Sequence, residues 1–269
     1  MRVLVTGAAG TIGSVVCSGL AAQGHQIRGL DIVGVPDFPG EFVHGDCSEA
    51  VIADAAVAGM DAVVHLAGNP AEISLPECLH SHVVTTARLL DAMVAHGVGN
   101  IAYASSNHAV GRTPRQELLG IHTRPRPDTF YGVSKVAGEA VLSLYVDRHG
   151  IGAVAMRIGS FQTEPRGRRS LSTWLSPGDC VRLVDAAIRV PRGEFAVVFG
   201  ISANRRRWWD LGPGRAIGYR PQDNAEDWAS RIEAGPESDD ERAEQEFVGG
   251  PFATARYARP PFDDPEPSR

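Results

Sequence analysis

The feature that most constrains the fold is a glycine-rich turn near the beginning of the chain. The stretch TGAAGTIG places Gly7, Gly10 and Gly13 between an apolar run over 2–7 and a helical pattern over 11–24. Glycines at this spacing let the backbone turn tightly and approach a pyrophosphate, which the free N–H groups of a helix N-terminus bind. A strand, a glycine turn and a helix in this order predict the first βα unit of a dinucleotide-binding sheet.

Short apolar runs continue to alternate with amphipathic stretches through the first part of the chain. Further strands are predicted over 26–31, 41–46, 61–68, 100–106, 152–159 and 194–200, and further helices over 48–58, 75–96, 130–149, 178–190 and 224–234. Strands that alternate with helices form βαβ units with right-handed crossovers, so helices cover both faces of a parallel sheet. The pattern therefore predicts an α/β fold with a doubly wound parallel sheet.

The alternation weakens after Gly159, which suggests a smaller second region. The chain has 269 residues, enough for one large α/β domain with an appendage. Residues 235–269 are rich in Pro, Gly and charge, and the last ten are expected to form a loose tail. We therefore predict a Rossmann domain over 1–160, a small substrate-binding region over 161–235 interleaved with the core, and an extended segment and tail over 236–269.

The net charge and the distribution of apolar residues limit the kinds of partner expected for the chain. The net charge of −6 gives no support for a nucleic-acid partner, which needs a basic face. The sequence has no apolar run of about 18 residues, so no membrane span is expected. The scattered cysteines form no CxxC pair, and we expect free thiols in a reducing cytoplasm. They are Cys17, Cys47, Cys78 and Cys180.

Two carboxylates end the second and third predicted strands. Asp31 follows Gly13 by eighteen residues and can accept both hydroxyls of an adenosine ribose. The same charge repels a 2′-phosphate, so NAD is favoured over NADP. Asp46 ends the third strand, where the adenine ring is expected.

A tyrosine and a lysine lie one helical turn apart in the stretch YGVSK. Tyr131 and Lys135 share one face of the helix predicted over 130–149. A tyrosine has a pKa of about 10, too high for a base at neutral pH, and a nearby ammonium with the nicotinium charge of NAD would lower this pKa. Together with TGxxGxxG, this pair resembles the short-chain dehydrogenase/reductase superfamily, in its extended branch of sugar-modifying enzymes.

More specific segments resemble uronate dehydrogenases from residue 1 to about residue 230. They are ASSNH, RPD followed by YGVSK and GE, RIGSF, RRSLSTWLS, SANRRRWWD and DNAE. The resemblance implies a small-molecule substrate and NAD-dependent oxidation of the anomeric C1 hydroxyl of a hexuronic acid, glucuronate or galacturonate, to the aldarolactone. It also implies a homo-oligomer built through the helices over 75–96 and 130–149.

The resemblance assigns roles to individual residues. Tyr131 would take the proton of the C1 hydroxyl, Ser106 would hydrogen-bond the same oxygen, and Lys135 would hold the nicotinamide ribose. The residues expected to bind the cofactor are Gly7, Gly10, Thr11, Ile12, Gly13, Asp31, Ile32, Asp46, Cys47, Leu66, Ala67, Gly68, Ala104, Tyr131, Lys135 and Ile158. Those expected to contact substrate are Asn69, Ser106, Asn107, His108, Ser160 and Arg169.

The substrate carboxylate needs a cationic partner, and a guanidinium can bind it bidentately. Arg169 occupies the matching position in RGRRSLSTW, and the adjacent Arg168 is left open as the alternative. His108 is assigned to the substrate because a second base would compete with Tyr131. The pair Trp208–Trp209 is expected to serve packing or a subunit contact.

Two positions depart from the family pattern and bear on substrate identity. His82 stands where the extended family usually has an asparagine, and Pro70 stands where uronate dehydrogenases tend to have a serine. Because proline has no side-chain donor, the substrate contact expected from the serine is either lost or supplied by Asn69. Cys78, His80 and His82 do not predict a metal site, because no second cluster supplies further ligands and residues two apart on a helix face different directions.

Two other functions stay open. One is an epimerase, dehydratase or reductase of the extended family acting on another sugar, although about 110 residues after Gly159 are few for holding a nucleotide sugar. The other is an NAD-binding sensor without turnover, against which the intact Ser106, Tyr131 and Lys135 argue.

Overall fold

Seven strands form one parallel sheet in the computed structural model of the chain, which describes residues 1–116 and 118–263. The strand order is β3-β2-β1-β4-β5-β6-β9. The strands are β1 Arg2–Thr6, β2 Gln26–Asp31, β3 Glu41–His44, β4 Ala62–His65, β5 Asn100–Ser106, β6 Gly152–Ile158 and β9 Phe195–Gly200, with a separate parallel pair of β7 Ser160–Phe161 and β8 Trp174–Leu175. The predicted doubly wound sheet is confirmed.

Helices cover both faces of the sheet. They are α1 Thr11–Ala22, α2 Ala50–Val57, α3 Leu75–Leu79, α4 Thr85–His96, α5 Phe130–His149, α6 Ser170–Thr173, α7 Pro177–Ala187, α8 Gly212–Ala216, α9 Ala229–Ile232 and α10 Asp239–Glu244. One apolar core lies between the sheet and α1 and α7, and a second lies between the sheet and α2, α4 and α5. Because both faces are covered, every residue of β4 and β6 is buried. Of these helices, none is long and apolar enough to cross a bilayer.

The sheet order places a crevice beside β1. The chain runs outward from β1 to β2 and β3 on one side, and returns to β4 and then β5 on the other. Helices leave the sheet on opposite faces at this reversal, so the carboxyl ends of β1 and β4 border an open crevice. β9 completes the sheet by pairing with β6, although it lies within 161–235, beyond the part of the chain that supplies β1 to β6.

The helix predicted over 75–96 is interrupted in the structure. Between α3 and α4, residues His80–Val84 form a π-helical turn. The hydroxyls of Thr85 and Thr86 donate to the carbonyls of Ser81 and His82, at 2.6 and 2.5 Å. Such bonds to the preceding turn distort a helix, and π turns often occur at functional sites. The turn directs His82 toward the crevice.

The C-terminal segment, defined as residues 246–263, packs against the body of the protein. The N–H groups of Val248 and Gly249 donate to Thr113 and Gly111, at 3.1 and 2.9 Å. The N–H of Leu75 donates to the carbonyl of Pro261 at 2.9 Å. The expected loose tail therefore does not begin at residue 260, and the remaining part over 264–269 lies outside the described residues.

A buried ion pair joins α5 to β6. Arg157 donates from Nε and Nη2 to Glu139 at 2.9 and 2.8 Å, and Ser105 donates to the same carboxylate at 2.5 Å. The side chains of Arg157 and Glu139 are only 4% and 9% exposed. Each charge therefore depends on the other for compensation inside the protein.

Replacement of Arg157 by methionine should lower the free energy of unfolding by about 3–5 kcal/mol, because it leaves the Glu139 carboxylate buried without its cation. Urea denaturation measures this change. The matched control is Arg189→Met, which removes a pair with Asp185 in which the arginine is 53% exposed, and should cost no more than about 1 kcal/mol. Equal losses for the two variants would contradict the assigned importance of the buried pair.

Candidate active site

A cleft of about 850 Å³ opens at the carboxyl ends of the strands. It is lined by every residue predicted to bind the cofactor, and by four of the residues predicted to contact substrate: Asn69, Ser106, Asn107 and His108. Ser160 and Arg169 are not part of its lining and lie behind it. Residues from separate parts of the sequence thus meet at the edge of the sheet where the topology predicts a site.

The glycine turn forms the floor of the cleft. Gly7 adopts a left-handed conformation with φ 69°, and a Cβ atom there would lie 2.8 Å from the backbone nitrogen of Ala67. A Cβ atom on Gly13 would lie 2.0 Å from the carbonyl oxygen of Gly7. The first turn of α1 has no side-chain cap and no acidic residue. Its free N–H groups and positive dipole end therefore face the cleft as an anion-binding site.

Asp31 stands beside this turn with both oxygens in use. Its Oδ2 accepts the N–H of Ala9 at 2.9 Å and its Oδ1 accepts the N–H of Val33 at 3.0 Å. Each carboxylate oxygen keeps a second lone pair for a ribose hydroxyl. Ile32 and Val33 are exposed apolar side chains that flank the carboxylate in the cleft lining. The surroundings fit an adenosine group, because a diol acceptor lies next to an apolar surface.

Tyr131 and Lys135 lie on the wall of the cleft formed by α5. Lys135 donates to the carbonyl of Ala104 at 2.8 Å, and its Nζ lies 5.3 Å from the centre of the Tyr131 ring. Burial raises the pKa of Tyr131 to about 12, while the interaction with Ser106 lowers it. Burial also lowers the pKa of Lys135 to about 7. Both shifts disfavour charge, so formation of the phenolate depends on positive charge held nearby.

Ser106 ends β5 directly beside the tyrosine. Its Oγ accepts the N–H of His108 at 3.2 Å and caps the 3₁₀ turn Asn107–Val110. The hydroxyl hydrogen stays available for an oxygen in the cleft. Ser105, for which the sequence suggested no role, turns to the other side of the sheet and binds Glu139.

His82 packs against Tyr131 as a neutral ring. The two ring centres are 5.2 Å apart in an edge-to-face arrangement. Burial lowers the pKa of His82 to about 3. Its Nε2 pairs at 2.8 Å with the carbonyl of Asn69, which can only accept, so Nε2 carries the proton. A Cβ atom on Gly68 would lie 2.4 Å from this ring. His82 therefore contacts both the tyrosine and the loop that follows β4 as an uncharged ring.

His108 is oriented by a buried carboxylate that the sequence did not indicate. Its Nδ1 pairs with Oδ2 of Asp128 at 2.9 Å, and the Asp128 side chain is fully buried. The ring stacks on Phe252 with centres 4.3 Å apart, and its edge faces Tyr131 at 5.8 Å. Because Nδ1 donates to the carboxylate, Nε2 is the ring nitrogen left for a ligand.

Arg169 and Arg168 point in different directions. Arg168 pairs with Glu233 and Glu241 and donates to the carbonyl of Gly235. Arg169 instead has no carboxylate within 4 Å among residues 1–116 and 118–263. Burial lowers the pKa of Arg169 to about 10. Of the two arginines, Arg169 is the half-buried one without a paired carboxylate in the described part of the chain, although the charges of Glu244 and Asp128 act against the lowering of its pKa.

Neutral groups hold Arg169 behind the cleft. Its Nη1 donates to the hydroxyls of Ser160 and Thr173, at 3.1 and 3.3 Å, and its Nη2 donates to the carbonyl of Val248 at 2.5 Å. The same carbonyl accepts Nδ2 of Asn107 at 3.2 Å. Arg169 is thereby connected to a residue of the cleft lining through the C-terminal segment.

The tryptophan pair and the cysteines lie in the interior of the protein. Trp208 and Trp209 are buried, and Trp209 stacks on Phe199, so the pair serves packing. All four cysteines are buried and free of disulfide bonds. Within the described ranges, no cluster of three or more His, Cys, Asp and Glu side chains is arranged to hold a metal ion.

Four residues near the site were missed from the sequence. They are Glu72, Asp128, Val248 and Phe252. Asp128 belongs to the RPD segment that resembles uronate dehydrogenases, but the sequence assigned no role to its carboxylate. Val248 acts through its backbone carbonyl, so its residue type carries no signal for this contact.

Comparison with known proteins finds a matching family and relatives that cover most of the chain. The model of the NAD dependent epimerase/dehydratase family matches residues 3–190. The chain is 35% identical to a uronate dehydrogenase of Pseudomonas syringae pv. tomato, over 98% of this chain and 95% of that protein. It is 40% identical to a uronate dehydrogenase of Agrobacterium fabrum, over 93% and 96% of the two chains. A crystal structure of a uronate dehydrogenase mutant from Agrobacterium tumefaciens, complexed with NAD, matches with a TM-score of 0.89 at 38% identity, over 98% and 99% of the two chains.

Proposed function

The chain belongs to the NAD dependent epimerase/dehydratase family and is an NAD-dependent dehydrogenase, and we propose that its substrate is a hexuronic acid. The reaction we propose is oxidation of the anomeric C1 hydroxyl of glucuronate or galacturonate to the aldarolactone. The observation that carries this proposal is Arg169, a half-buried guanidinium with no carboxylate within 4 Å among the described residues, behind a cleft that holds Ser106, Tyr131 and Lys135. A ligand that brings its own carboxylate would supply the missing charge.

The cofactor is NAD, and the cleft residues fit it. The uncapped first turn of α1 would take the pyrophosphate, and Asp31 the adenosine ribose. Lys135 would hold the nicotinamide ribose beside Tyr131. When bound, NAD⁺ supplies a hydride acceptor and a positive charge next to the tyrosine.

Proton transfer in the proposed reaction belongs to Tyr131. The phenolate oxygen takes the proton of the C1 hydroxyl, the C1–H electron pair leaves as hydride, and the C1–O bond becomes a carbonyl. The sugar ring stays closed, so the product is a lactone. Ser106 would hold the same oxygen, because its hydroxyl lies beside that of Tyr131 and can donate while its Oγ accepts from His108.

The sugar would be positioned by residues on both sides of the cleft. His108 offers Nε2, since Asp128 holds its Nδ1, and Asn107 offers its side-chain oxygen, since Nδ2 is bound to Val248. Asn69 uses Oδ1 to cap the N–H of Ala71 at 3.0 Å, which leaves its Nδ2 to donate. Asn69 thereby has the donor that Pro70 lacks.

Product analysis tests the chemistry of this proposal. Incubation with NAD⁺ and a hexuronic acid should yield one NADH for each lactone formed, and the lactone should be the first product seen by NMR. A product in which a ring hydroxyl other than that on C1 is oxidised, or an epimer formed without net NADH, would contradict it.

Replacement of Asp31 by asparagine should relax the choice of cofactor. The amide keeps one acceptor oxygen but loses the charge that repels a 2′-phosphate, so kcat/KM for NADP⁺ should rise about tenfold or more. The kcat with saturating NAD⁺ should stay unchanged, because the change lies at the adenosine end. Steady-state kinetics with both cofactors measures the effect, and an unchanged NADP⁺ rate would show that Asp31 does not set the preference.

We also infer a homo-oligomer formed through α4 and α5. Val94 on α4, and Val133 and Leu144 on α5, are exposed apolar side chains on these helices. Their burial in a partner interface would remove apolar surface from water. Sedimentation equilibrium would show a multiple of the 28.7 kDa chain mass.

A further inference from the structure

Glu72 reaches from the cleft loop, residues 69–74, to the helix that carries Tyr131. Its Oε1 accepts the backbone N–H of Phe130 at 2.8 Å, and its Oε2 accepts the backbone N–H of Tyr131 at 2.9 Å. These are the first two residues of α5. A carboxylate at this place gains from both hydrogen bonds and from the positive end of the helix dipole.

The helix has a cap of its own and does not need Glu72 in order to form. The hydroxyl of Thr129 accepts the N–H of Gly132 at 3.0 Å, and α5 runs for 20 residues to a left-handed Gly150. Thr129 and Glu72 together satisfy the N–H groups of the first three helical residues. Glu72 comes from outside the helix. It therefore fixes where the first turn of α5 lies relative to the cleft loop.

Contacts on both sides hold the cleft loop itself in place. The carbonyl of Asn69 pairs with His82 at 2.8 Å, and the side chain of Asn69 caps the N–H of Ala71 at 3.0 Å. Arg259 of the C-terminal segment donates to the carbonyl of Glu72 at 3.0 Å. Glu72 is therefore a fixed point to which the start of α5 is attached.

We propose that Glu72 is a positioning residue that sets the place of the Tyr131 hydroxyl in the cleft by holding the first turn of α5 against the cleft loop. This inference rests on the proposed function, in which Tyr131 is the base. Proton transfer requires the phenolate oxygen at hydrogen-bond distance from the substrate hydroxyl, and a shift of about 1 Å can cost about 100-fold in rate. The glycine turn and Asp31 lie outside α5, so the contacts proposed for the pyrophosphate and the adenosine ribose do not depend on Glu72.

The variants Glu72→Ala and Glu72→Gln test this role. We expect Glu72→Ala to lower kcat by about 10- to 100-fold and Glu72→Gln to lower it less, because the amide oxygen keeps one of the two acceptors. KM for NAD⁺ should stay unchanged in both. Hydrogen exchange should speed up at the amides of Phe130 and Tyr131, with the rest of α5 still protected.

Glu77→Gln is the matched control. Glu77 lies just beyond the same loop and accepts the N–H and hydroxyl of Ser74, at 3.2 and 2.5 Å, to cap α3. Its loss should lower Tm to a similar extent without the fall in kcat. Values of kcat for the Glu72 variants that equal that of Glu77→Gln would overturn the inference, as would a parallel loss of NAD⁺ binding.

The outcomes also separate this inference from the proposed function. If the unmodified protein forms no NADH with any uronic acid, the proposed function fails. Amide exchange then still decides whether Glu72 holds the first turn, because this readout needs no turnover. Unchanged exchange at Phe130 and Tyr131 in Glu72→Ala would refute the positioning role in either case.

Discussion

Replacement of Tyr131 by phenylalanine should lower kcat by about 10²- to 10⁴-fold and leave NADH binding unchanged. The ring would still pack edge-on against His82 and His108, because these contacts do not involve the hydroxyl. The variant therefore removes the proton acceptor alone. Steady-state rates, with NADH affinity measured by fluorescence, separate the two effects.

The pKa of Tyr131 predicts how the activity should change with pH. Burial raises the pKa of Tyr131 to about 12 in the protein alone, and a base must be deprotonated to act. Activity should therefore rise with pH, with a midpoint well below 12 in the complex, since NAD⁺ adds positive charge and the phenolate itself favours the charged form of the neighbouring Lys135. The phenylalanine variant should lose this rising limb.

Tyr145→Phe is the matched control on the same helix. Tyr145 is hydrogen-bonded to Asp91 outside the cleft, so its loss should leave kcat and the pH profile unchanged. If Tyr131→Phe kept the wild-type rate, another group would have to be the base, and the roles proposed for Ser106 and Lys135 would fall with it.

The second large effect is expected at Arg169. Arg169→Met should lower kcat/KM for a hexuronate by about 10²- to 10³-fold, because the substrate carboxylate would enter the protein without a cation. The kcat/KM of Arg169→Lys should lie between those of the unmodified protein and of Arg169→Met, since an ammonium offers a point charge and no planar pair of donors. The kinetics with respect to NAD⁺ should not change, because Arg169 is not part of the cofactor lining.

Arg168→Met provides the comparison for this prediction. Arg168 is the neighbouring residue but pairs with Glu233 and Glu241 away from the cleft. Its replacement should leave kcat/KM for the hexuronate unchanged. Equal losses in the two variants, or none in Arg169→Met, would contradict the assignment of Arg169 to the carboxylate.

The meeting of the proposed cofactor residues in one cleft could be predicted from the sequence because their signals are local. The glycine turn, Asp31 and the Tyr131–Lys135 pair each lie at fixed spacings within one βα unit or one helix. A parallel sheet then brings the ends of neighbouring strands together without further information. The sheet, most helices and the cofactor lining follow from these rules.

The contacts behind the substrate side could not be predicted in this way. Asn107 is bound to Val248, 141 residues away, and Tyr131 to Glu72, 59 residues away. Neither contact leaves a periodic or motif signal, because one partner in each pair acts through its backbone. The composition of residues 235–269 predicted an extended segment with a loose tail over the last ten residues and gave no sign of a fixed position, yet buried groups such as Val248 and Ala253 hold the C-terminal segment in place.

The sequence also could not decide between Arg168 and Arg169 as the partner of the substrate carboxylate. Adjacent arginines in RGRRSLSTW are equivalent in sequence, and only the position of the acidic residues Glu233 and Glu241 separates them. These acids lie more than sixty residues further along the chain. Among the described residues, the structure distinguishes an arginine paired with carboxylates from a neighbouring one that has no ion partner.

The most direct test of the central claim is the initial rate of NADH formation with hexuronic acids and with their parent aldoses. Glucuronate and galacturonate differ from glucose and galactose only in the carboxylate, so the comparison isolates the contact assigned to Arg169. We predict NADH formation with at least one hexuronate and a kcat/KM lower by about 100-fold or more for the parent aldose. Equal rates for acid and aldose, or no NADH with any uronic acid, would contradict the account.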